Sequence, residues 1–359
     1  MAYRTSMKDI MLKKFFNGIL ALFATSTVAA QSEPLKVLFI GNSYTHMNDM
    51  PRMFEKISKD AGMDIIVEKS ALSGASFRVH SERKDMFKAI NKRQWDYVIL
   101  QGYSRELTFE PEYLDTATIP FVNIITDSIY KNNACTNLMF YMTWGYDDGY
   151  REQENVNTYE KMANKIESGY RYLSDTYDVP VVPVGMAWKK VRELNAMDLY
   201  VDDRAHPSKE GSFLIASTFF ESIFGIQPNE DIGIVKERCA RKIRRAVNEV
   251  LLEKRELYKL DRNQIDLDIV MNEKVDHGKM IVEYAINYPE AKSVLWTFEK
   301  GATSTDLNGV YEYKKRGKYR VQADVVTGCG DIRTYTREIF FIDPYRRNRR
   351  RKDKKKDKS

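Results

Sequence analysis

The chain is poor in the residues on which most site chemistry rests. In 359 residues it holds four histidines, His46, His80, His206 and His277, and three cysteines, Cys135, Cys239 and Cys329. The cysteines stand in three widely separated stretches without metal-ligand spacing, and an odd number leaves at least one unpaired, so they read as buried or free thiols. No His, Cys and carboxylate cluster has the spacing of a metal site. No Gly-x-Gly-x-x-Gly or other phosphate-cradling loop occurs. These absences leave chemistry that needs neither metal nor cofactor. Beyond the first 30 residues no stretch is apolar enough to span a membrane.

Basic charge is scarce where it would matter. The formal net charge is +6, yet the tail Arg346–Ser359 alone holds five Arg and five Lys against two Asp. The rest of the folded body is therefore mildly acidic, and the pI of 8.9 is no argument for a nucleic-acid enzyme. The tail has no apolar residue and is expected to be disordered. It either attracts anionic envelope polymers and lipid headgroups or simply solubilises the chain.

The chain divides by composition into residues 1–30, 31–228, 229–262, 263–343 and 344–359. Residues 1–30 have the pattern of a secretory signal: Lys13 and Lys14, the apolar run Phe15 to Ala24, then Val28-Ala29-Ala30 before Gln31. Export to the periplasm or beyond is the expectation, with an uncut N-terminal anchor as the alternative. From Lys36 onward strand and helix patterns alternate. Strands are expected at Lys36–Ile40, Asp64–Lys69, Tyr97–Gln101, Leu138–Met142 and Val179–Val184, with Pro180 and Pro183 suiting the last to an edge. Helices are expected at Asn48–Ala61, Ser76–Lys92, Ile119–Lys131, Val156–Thr176 and Lys209–Phe224. Such βαβ units predict an α/β protein, a three-layer α/β/α sandwich on a parallel sheet. Residues 229–262 read as a basic helical linker packed on a domain. After Asn263 the apolar period becomes two, and short strands divided by turns predict a small C-terminal β-sandwich.

Two stretches carry chemistry. Val37-Leu-Phe-Ile40 reads as a buried strand that stops at Gly41, followed by Asn42-Ser43-Tyr44-Thr45. Ligands bind at the carboxyl ends of strands in such sheets, where Ser43 would stand. Far along the chain, Asp202-Asp203-Arg204-Ala205-His206-Pro207-Ser208 places an Asp three residues before a His, spacing that lets a carboxylate orient an imidazole for base work.

Gly-Asn-Ser-Tyr-Thr and Asp-x-x-His-Pro-Ser, in this order and at this distance, resemble the first and last blocks of the SGNH (GDSL-like) hydrolases over residues 35–226. The resemblance implies a flavodoxin-like strand order and a catalytic set of Ser43 as nucleophile, His206 as base and Asp203 as its orienter, with Asp202 as the alternative orienter. It implies oxyanion donors in the N–H groups of Ser43 and of Gly74, the latter from the second block, unless Gly74 is an ordinary turn glycine. The third block departs from the family's Gly-x-Asn-Asp: here it runs Leu100-Gln101-Gly102-Tyr103-Ser104-Arg105. Gln101 offers an amide donor as in the Gln-Gly variant of sialate and xylan O-acetyl esterase branches. Ser104 is the alternative donor, and Gln101 then only satisfies backbone groups at the strand end.

Asn42 stands where the family often has Asp and either contacts substrate or bridges loops. His46 is too near Ser43 in sequence to be its base and is kept as a substrate contact. Trp144 either stacks on a sugar ring or is packing, and Tyr44, Tyr103 and Tyr150 add to an aromatic mouth. Trp296-Thr-Phe, Tyr311-Glu-Tyr and Gly317-Lys-Tyr-Arg-Val are similar to PKD-like, immunoglobulin-like modules of secreted bacterial enzymes. The expectation is an exported serine esterase, cofactor-free, removing acetyl groups from a small or polymeric carbohydrate. The rivals are a lipase or thioesterase on longer chains, an acyltransferase, and a non-catalytic carbohydrate-binding or envelope scaffold protein.

Overall fold

In a computed structural model of the chain, the apolar run after Lys36 is the strand around which the first part of the chain is built. The structure describes residues 33–230, 232–260, 269–288, 291–299, 301–330 and 332–341. The signal-like segment 1–30, the basic tail 344–359 and residues 261–268, where the helical linker gives way to the β part, lie outside the described residues.

Strand β1 (Leu35–Gly41) pairs in parallel with β2 (Ile65–Ala71) on one side and β3 (Tyr97–Leu100) on the other; β4 (Asn137–Tyr141) and β5 (Val181–Val182) follow. The order β2-β1-β3-β4-β5 is flavodoxin-like, and the chain reverses direction of growth between β1 and β3. Val37, Leu38 and Phe39 have no exposed surface, because both faces of the strand are covered. Strand β5 lies at the edge, flanked by its two prolines as expected.

Helices α1 (Ser43–His46) and α2 (Met50–Asp60) follow β1, and α3 (Phe77–Glu82) and α4 (Lys84–Asn91) follow β2. After β3 come α5 (Pro111–Ala117) and α6 (Ile119–Asn132), and after β4 comes α7 (Tyr159–Tyr177). After β5 come α8 (Val184–Glu193), α9 (Lys209–Phe224) and α10 (Glu237–Lys254). Two groups pack within themselves, α2 with α8, α9 and α10, and α3 with α4, α5 and α6. The single helix expected over 76–92 is broken at Arg83, whose extended backbone lets its guanidinium reach Ser70 and Asp85. The strand expected to run to Val184 ends at Val182: from Val184 the chain turns into α8, which buries Ala187, Trp188 and Val191.

The C-terminal part has two antiparallel sheets. β6 (Ile269–Asp276), β7 (Lys279–Ile286) and β10 (Asn308–Tyr313) form one, in the order β10-β7-β6. β8 (Ala291–Thr297), β9 (Thr303–Ser304), β11 (Gly317–Thr327) and β12 (Ile332–Phe341) form the other, in the order β12-β11-β8-β9. Alternate residues enter a shared core of Val282, Trp296, Tyr313, Val321, Ala323 and Ile339. The reading of the cysteines is corrected here. Cys135, after α6, and Cys329, in the turn between β11 and β12, form a disulfide across 194 residues of sequence, and only Cys239 remains free. Folding alone brings those two together, so spacing carried no trace of the pair.

Candidate active site

Ser43 stands at the first position of α1, directly after β1. Asn42 caps that short helix, its Oδ1 accepting the Tyr44 N–H at 3.0 Å. Gly41 has to be glycine: a Cβ there would stand 2.2 Å from Thr45 Oγ1 and 2.5 Å from Gln101 Oε1. The close approach this allows sets the turn that lifts Ser43 out at the carboxyl end of the sheet.

His206 reaches the same point from the loop before α9. Its Nε2 lies 2.8 Å from Ser43 Oγ, and its Nδ1 lies 2.6 Å from Asp203 Oδ2. With the proton on Nδ1 donated to Asp203, Nε2 is free to accept the serine proton. The other oxygen of Asp203 accepts the N–H groups of Ala205 at 2.9 Å and His206 at 2.8 Å, which closes the turn carrying the histidine. Burial would raise the Asp203 carboxyl, but these two N–H groups and the imidazole hold it below its ordinary value, so it stays ionised as an orienter must. Asp202 is exposed and makes no bond to the ring.

Behind this pair stands a column of aromatic rings. Trp188 stacks on Trp144 at 4.0 Å, Trp144 on Tyr44 at 4.3 Å, and Tyr44 meets His206 edge-on at 5.3 Å. Trp144 is fully buried, and its Nε1 donates to the Ala205 carbonyl at 3.1 Å. The reading of Trp144 as a sugar platform is thereby corrected: both ring faces are covered, and the side chain supports the His206 loop. Arg204, in a left-handed conformation at φ 58°, adds a clamp the sequence did not disclose. Its guanidinium and that of Arg192 both pair with Asp147 in the loop after β4, and the Asp147 N–H donates to the Arg204 carbonyl at 2.9 Å.

The opposite wall is made by the loops after β2 and β3. Gly74 borders the cavity at φ 72°, a conformation that favours glycine, and its N–H and that of Ser43 have no protein acceptor among the described residues. Gln101 requires a correction. It is fully buried; its Oε1 accepts the Asn42 N–H at 3.0 Å and the Thr45 hydroxyl at 2.8 Å, and its Nε2 donates to the Gly102 carbonyl. The Oε1 contacts fix the amide's orientation, its donor is taken by the Gly102 carbonyl, and Gln101 is not among the residues that line the cavity. Asn42 borders the cavity, and its side chain bridges the loops, Nδ2 donating to the carbonyls of Ala75 at 3.3 Å and Gly102 at 3.0 Å. Ser104, the alternative donor, does border the cavity, its hydroxyl 2.8 Å from that of Tyr146. His46 stands at the mouth with Nε2 2.8 Å from Ser73 Oγ.

Glu106 ties the two loops together, accepting the N–H groups of Phe77 at 3.0 Å and Tyr103 at 2.9 Å. Gly102 leaves room for it, since a Cβ there would stand 2.5 Å from Glu106 Oε2. Burial pushes the Glu106 carboxyl up to about 7, against the pull of its two N–H donors. Nothing in its sequence position marks it apart from a surface glutamate. The cavity between the walls measures about 560 Å³ and is lined by Ser43, Met47, Gly74, Tyr103, Tyr146 and His206 among others. No group of three His, Cys, Asp or Glu side chains converges on a metal position among the described residues.

Neither a family model nor a curated protein matches the chain. Among solved structures, a DUF4886 family protein from Bacteroides uniformis is similar over 61% of this chain and 95% of its own, at 21% identity and a TM-score of 0.53. Axe2-W215I, an acetyl xylan esterase from Geobacillus stearothermophilus, overlaps 52% of this chain and 93% of its own at 15% identity and a TM-score of 0.38. The PKD1 domain of the Vibrio cholerae metalloprotease PrtV overlaps 21% of this chain and 95% of its own at 26% identity and a TM-score of 0.18. The first likeness concerns fold alone, and the other two are too slight to carry an argument. The strand order β2-β1-β3-β4-β5, with Ser43 directly after β1 and the Asp203–His206 loop before α9, is the arrangement that the resemblance to the SGNH hydrolases leads one to expect, and an antiparallel β part follows it.

Proposed function

We propose that the chain is an exported serine esterase that removes short acyl groups, acetyl foremost, from a carbohydrate. The observation that carries this reading is the unbroken hydrogen-bonded line from Ser43 Oγ through both nitrogens of His206 to Asp203. Ser43 Oγ attacks the ester carbonyl while its proton passes to His206 Nε2. The carbonyl electrons move to the oxygen, which meets the N–H groups of Ser43 and Gly74 and the Ser104 hydroxyl. The C–O bond to the sugar then breaks, and the sugar oxygen leaves with the proton from His206. Water, deprotonated by the same nitrogen, hydrolyses the acyl-serine and frees the acid and the enzyme.

A cavity of this size, with tyrosines and serines on its walls, fits a short acyl group and a sugar better than a long alkyl chain. The signal-like N-terminus and a disulfide between Cys135 and Cys329 both support an oxidising compartment outside the cytosol. The test is hydrolysis of p-nitrophenyl acetate and butyrate by the chain and by Ser43→Ala. Acetate turnover in the unmodified chain, reduced by at least about 10⁴-fold in the variant, is the expected result. Equal rates from two folded proteins would remove Ser43 as the nucleophile.

A further inference from the structure

Arg105 directly follows Ser104 on the loop after β3, and it is a cation with no carboxylate partner among the described residues. Its guanidinium carbon lies 3.6 Å from the centre of the Tyr150 ring and 5.6 Å from that of Tyr103, whose hydroxyl accepts from Nη2 at 3.4 Å. Its Nε is buried and has no acceptor. The acidic groups around the site are engaged elsewhere. Glu106 is turned to the Phe77 and Tyr103 N–H groups, Glu152 accepts the Tyr150 hydroxyl, and Asp147 pairs with Arg192 and Arg204. Asp148 pairs with Arg151, and Asp203 with His206.

The neighbours of Arg105 belong to the cavity wall. Tyr103, Ser104 and Tyr146 all border the space above Ser43. The Arg105 charge is felt there: burial alone would raise the Tyr103 hydroxyl, yet the hydrogen bond and charge of Arg105 bring it below its ordinary value. Aromatic faces hold a guanidinium in a fixed plane while leaving its N–H edge for an oxyanion. A planar fork without a counter-ion matches a carboxylate with two parallel N–H···O bonds.

We propose that Arg105, braced by Tyr103 and Tyr150 beside the Ser43 cavity, is a subsite for a carboxylate on the sugar part of the ester, so that the substrate is an acylated sugar acid. This rests on the esterase reading for the chemistry but not for the binding. Two measurements separate them. The first is calorimetric binding of methyl glucuronoside and methyl glucoside, which differ in one carboxylate, to the Ser43→Ala chain. The second is hydrolysis of their monoacetates by the chain with Ser43 in place.

The glucuronoside is expected to bind about tenfold more tightly or better, as charge-assisted hydrogen bonds allow. High salt weakens that preference, Arg105→Gln brings the two ligands to parity, and Arg105→Lys keeps part of the difference. Equal binding of the two sugars, or a preference that survives in Arg105→Gln, overturns the subsite. Should that variant fail to fold, a salt-independent preference in the parent overturns it instead. Selective binding without hydrolysis of either monoacetate would sink the esterase reading and leave the subsite standing. Hydrolysis of both without selectivity would do the reverse.

Discussion

The two walls of the cavity are built on different principles. On the His206 wall the groups proposed to act are side chains: a serine, an imidazole and a partly exposed carboxylate in one line, with buried Trp144 and Trp188 as a rigid back. On the Gly74 wall they are backbone N–H groups joined by the Ser104 hydroxyl, and the buried side chains there serve to fix the backbone. Asn42, Gln101 and Glu106 together hold the loops after β1, β2 and β3 to one another. A wall of side chains fails when one group changes its chemistry. A wall of backbone donors fails when its supports let the loops drift, so damage to it is expected to appear in stability as well as in rate.

The largest effect expected from breaking this contrast is Asp203→Asn. The carboxylate then no longer accepts from Nδ1, the imidazole takes the wrong tautomer, and kcat on p-nitrophenyl acetate falls by about 10⁴-fold with thermal stability little changed. A comparable fall in stability would mean that the Asp203 turn is structural first. A smaller pair of effects separates the two candidates for a third donor. Ser104→Ala is expected to lower kcat by about 10²-fold with the melting temperature nearly kept. Gln101→Ala leaves the Asn42 N–H and the Thr45 hydroxyl without their acceptor and costs about 2 kcal/mol or more of stability, read from urea unfolding. If Gln101→Ala instead kept full stability and lost only rate, Gln101 would be a donor to substrate after all.

The smallest effect concerns Glu106. Its folded-state pKa, raised from 4.5 to about 7, means that the neutral carboxyl is the form the fold favours. The stability this gives is complete below the unfolded value and is lost as pH rises through about 7, because the folded chain then binds the extra proton. Glu106→Gln removes that dependence. Its melting temperature, relative to the parent chain, is expected to improve between about pH 5 and about pH 8. Parallel profiles for the two proteins would show that Glu106 titrates as an ordinary carboxylate.

The same contrast explains what the sequence disclosed. Ser43, Asp203 and His206 were legible because each block is a local turn closed by its own hydrogen bonds, as Asp203 closes the turn through Ala205 and His206. Gly74 was singled out by the resemblance to the second block, and its positive φ and place on the cavity border fit both a donor and an ordinary turn glycine. The layered sheet followed from apolar runs buried on both faces. Gln101 was not legible: its role depends on the space that Gly41 leaves 60 positions away, and a donor amide and a supporting amide look alike in one dimension. Trp144 had the right place in the chain for a rim residue, but Trp188 and Tyr44 cover both its faces. The Arg204–Asp147–Arg192 clamp and the Cys135–Cys329 pair join remote segments and have no local signature. Helix α8 was hidden because the β-branched residues before it read on as strand.

The most direct test of the account is covalent capture of the nucleophile. The intact chain would be treated with a fluorophosphonate, which reacts with an activated serine, and the adduct located by peptide mass spectrometry. One adduct per chain is expected, on Ser43, and it is lost when His206 is replaced by Ala. An unlabelled folded chain, or an adduct on another residue with Ser43 untouched, would contradict it.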